Sequence, residues 1–207
     1  LESEKLEDDA VAELRGKYRI DAILADLTPL IEGTLEGAQR ISEIVKNLRR
    51  LSFNPAHEAQ KIDVERIVGV ATQWAARSKK NQARIDVDVD PGLTLWGNEG
   101  QIHQIVVNLI DNALDAVRGR ADAQVKVRAR SFGGEVEMIV EDNGHGIAES
   151  AFDKMFEPFF TTKTVGEGTG LGLWISYSIA REHGGAISAA NRPEGGAIFT
   201  LRLPAGG

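Results

Sequence analysis

Asn108 and Asn112 stand four residues apart in this 207-residue chain. On a helix they share one line with Gln101, Gln104 and Asp115, beside an apolar stripe of Ile102, Val106, Leu109, Ala113 and Val117. Carboxamides at the margin of a core need several hydrogen-bond partners and contribute little as packing. Their neutral oxygens suit Mg²⁺ that is already carried by phosphates and keeps some of its waters. Taken alone, the pair reads more readily as two ordinary exposed Asn on a helix flank. A second group is Asp142-Asn143-Gly144-His145-Gly146-Ile147, directly after a strand pattern. A partly shielded Asp there can accept from an exocyclic amine such as that of adenine, and the glycines let a flat ligand come close. Asp-Asn-Gly is also ordinary turn chemistry. A third is Gly166-Glu167-Gly168-Thr169-Gly170-Leu171-Gly172-Leu173, which runs into a helix. Its amides, with the positive helix end and Lys163, form a field for an anion such as a triphosphate, although a glycine run can also be a plain linker. Between the last two lies Phe156-Glu157-Pro158-Phe159-Phe160-Thr161-Thr162-Lys163, which holds three of the chain's 7 Phe. It reads as an apolar anchor for a loop over a ligand, or as a core corner.

Several elements must position these groups. Asn98 is an N-cap with Gln101 three residues on, and Gly119 is a stop, which predicts a helix over 99–118. Helices are also predicted over 64–79 and 173–182, the latter closed by Gly184-Gly185. Strands are predicted over 84–89 (Ile85, Val87 and Val89 on one face), 124–130, 135–141, 186–190 and 197–203, with Gly133-Gly134 as a hairpin turn. This order predicts a two-layer α/β sandwich with a mixed, mostly antiparallel sheet. Upstream, an acidic lead-in (Glu2, Glu4, Glu7, Asp8, Asp9, Glu13) and a weaker pattern through Leu14, Tyr18, Ile20, Ile23 and Leu24 read as helical or frayed. From Thr28-Pro29, taken as N-cap and first helical residue, Leu30, Ile31, Leu35, Ala38, Ile41, Val45, Leu48 and Leu51 recur at threes and fours. Glu32, Glu36, Arg40, Glu43, Lys46, Arg49 and Arg50 take the other face. A long amphipathic helix of this kind buries its stripe on its own domain or on another helix, from this chain or a second copy. Asn54-Pro55 ends it, and the segment to Lys61 is a polar connection.

The composition sets limits. With 24 Lys+Arg against 31 Asp+Glu the net charge is −7, so neither nucleic acid nor an anionic membrane is an expected partner. The chain has no cysteine, which excludes disulfides, thiolate metal sites and a Cys nucleophile. No apolar run approaches a membrane span, and the chain is read as soluble and cytoplasmic, with any membrane attachment of the full-length protein lying upstream. Because it begins at Leu1, it is read as a piece of something longer.

In this order and spacing, the four motifs together resemble the ATP-binding catalytic domain of sensor histidine kinases. The wider superfamily includes the Hsp90 chaperone, the MutL repair ATPase and the ATPase component of DNA gyrase. The N box is Asn108-Leu109-Ile110-Asp111-Asn112-Ala113, and the first glycine box is Asp142-x-Gly144-x-Gly146. Phe156-Glu-Pro-Phe159-Phe160 is the F box, and Gly168-x-Gly170-x-Gly172 the second glycine box. The resemblance covers about Ile62 to Pro204, and Glu36 to Leu48 is similar to the second helix of the dimerisation and phosphotransfer hairpin. It implies a Bergerat-type fold, a helical remnant over 1–55, a linker over 56–61 and a catalytic domain over 62–207. It further implies transfer of the ATP γ-phosphoryl group to a histidine and then to an Asp of a response-regulator receiver domain, with a homodimer formed through the hairpin. Asn112 would be the principal Mg²⁺ ligand, assisted by Asn108, and Lys163 would reach the terminal phosphates. Asp142 would read adenine, with Gly144, Gly146 and Ile147 shaping its pocket and Phe156 at its edge. Gly168, Thr169, Gly170, Leu171 and Gly172 would cover the phosphates.

Two departures carry weight. Hydrolytic members have a Glu four residues before the metal-binding Asn, where Asn108 stands here, so slow hydrolysis is expected. Many histidine kinases have Lys or Arg three residues after that Asn; here it is Asp115, which shifts phosphate neutralisation onto Mg²⁺ and Lys163. None of His57, His103, His145 and His183 sits in a phosphoacceptor context, and each reads as structural or solvent-facing. The acceptor histidine is therefore expected outside this chain, which should bind Mg-ATP without labelling itself. The alternatives are a stand-alone ATPase, a protein-serine kinase of the same superfamily, and a non-catalytic dimerisation or docking adaptor.

Overall fold

A computed structural model describes residues 14–52, 59–78, 83–164 and 168–206. The acidic lead-in over 1–13, the break at Asn54-Pro55, His57, Lys79 and the pair Gly166-Glu167 lie outside the described residues. So do the side chains of Glu36, Arg40, Ile41, Glu43, Val45, Lys46, Leu48, Arg49, Arg50 and Leu51.

Helix α1 spans Ile20–Ser52. It starts earlier than the Thr28-Pro29 signal predicts and carries Pro29 inside. Proline removes one helical N–H, but Ile20, Ile23, Leu24, Leu27, Leu30 and Ile31 keep a single period through it, so the helix continues. The lead-in is helical from Leu14 and breaks at Arg19, whose φ is 52°. The apolar stripe of α1 stays exposed: Leu24, Leu27, Leu30, Ile31 and Leu35 all face solvent.

The rest is a sheet with helices on one face. Its strands are β2 (Arg84–Val89), β4 (Gln124–Phe132), β5 (Glu135–Asp142), β6 (Ala186–Asn191) and β7 (Ala197–Pro204), in the order β2-β4-β5-β7-β6. Among the described strands of this sheet, β2–β4 is the one parallel pair. Gly133 and Gly134 both have positive φ, as a two-residue hairpin between β4 and β5 demands. A separate antiparallel pair, β1 (Gln60–Asp63) with β3 (Thr94–Gly97), places Ile62 opposite Leu95, both fully buried. Gln60 and Lys61, expected in the polar connection, are strand residues. Strands this short show too little alternation to be seen in sequence.

Helices α2 (Val64–Ser78), α3 (Glu99–Ala116) and α5 (Gly172–Glu182) pack on the sheet, and a single turn, α4 (Glu149–Phe152), follows β5. The core joins Val125, Val127, Val136, Met138, Val140, Phe199 and Leu201 of the sheet to Ile102, Ile105, Val106, Leu109, Ile110 and Ala113 of α3. Ile85 and Val89 pack against this core, whereas Val87 is exposed at the edge strand. The opposite sheet face carries cross-strand ion pairs, among them Arg202 with Glu137 at 2.7 Å and Arg128 with Glu141. Among the described residues, no helix is long and apolar enough to cross a membrane.

Candidate functional site

Helix α3 organises the site. Asn98 caps it as the sequence predicts, its Oδ1 accepting from the Gln101 N–H at 3.1 Å. His183 Nε2 accepts from the Asn98 N–H at 3.1 Å and its Nδ1 lies 2.8 Å from the Ile179 carbonyl, so this histidine ties the end of α5 to the start of α3. All five residues of the predicted stripe, Ile102, Val106, Leu109, Ala113 and Val117, are buried. The flank beside that stripe meets one motif after another on successive turns.

At the first of these turns, Asn108 Nδ2 donates to the Gly172 carbonyl and to Ser176 Oγ, both at 3.1 Å. Ser176 is fully buried, and its hydroxyl also donates to Gly172 O at 2.9 Å. The amide plane of Asn108 is thus set by its donor end, which leaves Oδ1 as the oxygen to offer a ligand. One turn on, Asn112 Oδ1 accepts from Lys163 Nζ at 3.4 Å. Lys163 Nζ is also 2.5 Å from Asp115 Oδ2, and Asp115 Oδ1 accepts from Arg118 at 2.8 Å. At the last turn the first glycine box arrives: a Cβ on Gly144 would lie 2.4 Å from the Ala116 carbonyl oxygen, so only glycine allows this approach.

Asp142 ends β5. Burial alternates along that strand, with Val136, Met138, Val140 and Asp142 facing the helices, so strand parity points the carboxylate inward. It is 2% exposed, and its Oδ1 accepts from the N–H groups of Gly144 at 2.8 Å and Ala197 at 3.2 Å. Burial pushes its carboxyl above the ordinary value, outweighing those two donors, which pull the other way. With Oδ1 so engaged, Oδ2 is the oxygen to offer a ligand.

The remaining predicted residues fall around these. Ile147 is partly buried against the core, and Gly146 has a positive φ of 74°. Phe156 packs against Tyr177 with ring centroids 5.4 Å apart, and Phe160 lies at the core edge, while Phe159 is 61% exposed with φ 68°. Gly168 sits beside Thr161 and Lys163, and Thr169 Oγ1 accepts from the Leu171 N–H at 3.4 Å. At Gly170 φ is 66°, and a Cβ would lie 2.4 Å from the Phe159 carbonyl carbon. Leu171 turns its side chain into the core, and Gly172 opens α5. Among the other histidines, His103 is partly buried, and burial lowers its pKa; His145 is exposed, its Nδ1 2.7 Å from the Gly146 carbonyl.

Sequence reasoning did not find Asn191, Arg192 or Ser176. Asn191 holds Ile147 at two points, accepting from its N–H at 2.7 Å and donating to its carbonyl at 2.8 Å, and Arg192 donates to the Asp142 carbonyl at 2.9 Å. Both lie at the β6–β7 turn, far along the chain from the loop they fix. Their one local signal is Gly195-Gly196, which marks a turn and not a site.

The donor set fits nucleotide and metal. Among the described residues, no group of three or more His, Cys, Asp or Glu gathers to hold a metal ion; the side-chain oxygens of Asn108 and Asn112 are neutral amides. Such amides suit a hard cation that brings phosphate and water ligands with it.

Comparison with known proteins gives the class. Residues 97–207 match the model of the histidine kinase-, DNA gyrase B- and HSP90-like ATPases, and the chain belongs to this family. It carries the family's ATP-binding domain. Among relatives, it is 45% identical over 117 residues to the two-component sensor PprA of Pseudomonas aeruginosa, covering 54% of this chain and 13% of that protein. It is 34% identical over 171 residues to the sensor histidine kinase ZraS of Escherichia coli, covering 81% of this chain and 36% of ZraS. The chain therefore spans well under half the length of either relative. The catalytic domain of the histidine kinase ThkA has a similar fold, with a TM-score of 0.64 and 28% identity over 72% of this chain and 97% of that domain.

Proposed function

We propose that this chain is the catalytic part of a two-component sensor kinase, which transfers the γ-phosphoryl group of ATP to a histidine outside the chain and thence to a receiver-domain Asp. The observation that carries the reading is the meeting of motifs on α3. Asn108 bonds Gly172 of the second glycine box, Asn112 bonds Lys163 beside the F box, and Ala116 abuts Gly144 of the first glycine box.

In this reading Asn112 and Asn108 hold Mg²⁺ through their side-chain oxygens. When bound, the ion neutralises charge on the triphosphate, since phosphoryl transfer depends mainly on positioning and electrostatics. Asp142 accepts from the adenine amine through Oδ2, and Asn191 and Arg192 hold the loop that carries it. Gly144, Gly146 and Ile147 shape the base pocket, with Phe156 at its edge. Lys163 and the amides of Gly168, Thr169, Gly170, Leu171 and Gly172 serve the phosphates. A general base for attacking water is missing at position 108, where Asn108 spends its donor end on α5. Hydrolysis should accordingly be slow.

The exposed stripe of α1 serves a helical dimer in the full-length protein, and the division into a helical remnant over 1–55, a linker over 56–61 and a catalytic domain over 62–207 follows the change of character along the chain, with Gln60 and Lys61 at the end of the linker already paired into β1 of the domain. The cytoplasm, where ATP and receiver domains are found, is its proposed location. The test is to incubate the chain with γ-labelled ATP, Mg²⁺ and a separate helical hairpin bearing an acceptor histidine. Acid-labile label on the hairpin and none on this chain is expected; acid-labile label on the chain itself would refute the assignment of the acceptor.

A further inference from the structure

Asp115 stands where the sequence comparison expected a positive charge, and the structure gives it an occupation. Its Oδ2 holds Lys163 Nζ at 2.5 Å, its Oδ1 holds Arg118 at 2.8 Å, and the same ammonium lies 3.4 Å from Asn112 Oδ1. The pair is partly withdrawn from water, with side-chain exposures of 15% for Asp115 and 33% for Lys163.

We propose that Asp115 is a specificity-determining residue that makes this site select metal-loaded over metal-free nucleotide, by keeping Lys163 in an ion pair that uncompensated phosphates would have to break. The inference rests on the Mg-ATP reading above and deepens it. An ammonium and a divalent ion on one amide oxygen repel each other, so Lys163 must leave Asn112 when the ion arrives, and the carboxylate of Asp115 keeps it paired as it does so. A nucleotide without metal has no such neutralisation of its own. The magnesium complex can take the donor that Lys163 frees from Asn112 while the ion pair with Asp115 stays, but to neutralise its full charge a metal-free nucleotide must break that 2.5 Å pair, and its phosphates then face a partly buried carboxylate of like charge. Metal-free nucleotide is therefore disfavoured twice, whereas the magnesium complex brings its own positive charge. This is discrimination by a built-in repulsive element, which acts on the wrong ligand more than on the right one.

The experiment is a calorimetric titration of the full chain with a non-hydrolysable ATP analogue, once in Mg²⁺ and once in EDTA. Four proteins are compared: wild type, Asp115→Asn, Lys163→Met and the double variant. The wild type should prefer the magnesium form, and Asp115→Asn should narrow that preference about tenfold by tightening metal-free binding, the size expected for release of one charged hydrogen bond. In the Lys163→Met background the same substitution should change the preference far less, because the released ammonium is gone. Asp115→Ser serves as a second probe if the Asn variant melts early. A preference that stays within about twofold of wild type in Asp115→Asn and Asp115→Ser overturns the inference and leaves the nucleotide reading standing. Equal narrowing with and without Lys163 overturns the role given to the lysine, and a wild type that binds both forms alike overturns the selectivity. A wild type that binds neither form removes the nucleotide reading and this inference together.

Discussion

At the residue scale, Asp142 is held by both burial and hydrogen bonding. It is a carboxylate in a strand whose other inward residues are aliphatic, and two backbone N–H groups hold one of its oxygens. Asp142→Asn preserves those two hydrogen bonds through Oδ1 but replaces the second oxygen by an NH₂, which in the proposed binding mode would face the adenine amine donor to donor. No heat of nucleotide binding is expected from this variant by calorimetry at concentrations that saturate the wild type, and its fold should be intact by circular dichroism. Burial also predicts a pH dependence. The folded-state pKa of Asp142 is raised above its ordinary 3.8, so its contribution to stability is fully present below that value and is lost as pH rises through the higher folded value. Asp142→Asn should then melt at a higher temperature than wild type at neutral pH, with the gap closing in acid; a lower melting temperature at neutral pH would contradict the sign. Nucleotide binding by the wild type should weaken on acidification before an ordinary carboxylate would titrate, because the acceptor is protonated early.

At the element scale, α3 is both core and scaffold. Ile102, Ile105, Leu109 and Ile110 are essentially fully buried, and the flank beside them carries Asn108, Asn112 and Asp115. Truncating Leu109 to Ala is expected to cost about 2–5 kcal/mol in urea unfolding. Asn98→Ala removes the cap bond to Gln101 and should cost about 1 kcal/mol. It should do so with little loss of nucleotide affinity, since the cap lies at the opposite end of α3 from Gly144. The helix and its cap were legible in the sequence because a Ser/Thr/Asp/Asn-type cap and a 3.6-residue period are local signals. The helix stops at Ala116, two residues before the predicted Arg118, with Val117 as its cap and Gly119 at φ 80° just beyond. Strands β4, β5, β6 and β7 each run one or two residues past their predicted ends, where pairing with a neighbour extends them. The pair β1–β3 was missed for the opposite reason: each strand exists only because the other is there.

At the scale of the whole molecule, the sheet and its three helices form one core, while α1 keeps an apolar stripe in water. Leu30, Ile31 and Leu35 are 70%, 56% and 58% exposed. A stripe of this kind is stable only against a partner, and the expected partner is another helix of the same type. Sedimentation of the full chain should show concentration-dependent association that is abolished by replacing Leu30, Ile31 and Leu35 together with Gln, with nucleotide affinity unchanged. A chain that is monomeric at every concentration, or association that survives the triple change, would remove this role for α1.

The sequence alone determined the class of chemistry. Paired amides on a helix flank, an acid at a strand end and glycines before a helix are set by residue type and short-range spacing, and local periodicity was enough to predict most of the elements that carry them. What only the tertiary structure decided is which groups touch. Asn191 and Arg192 reach back to the first glycine box across more than forty residues of chain, Ser176 sets the amide of Asn108, and Lys163 finds Asp115. Those contacts depend on sheet order and on how α5 lies against α3, which are products of burying one shared core, and no local pattern records them.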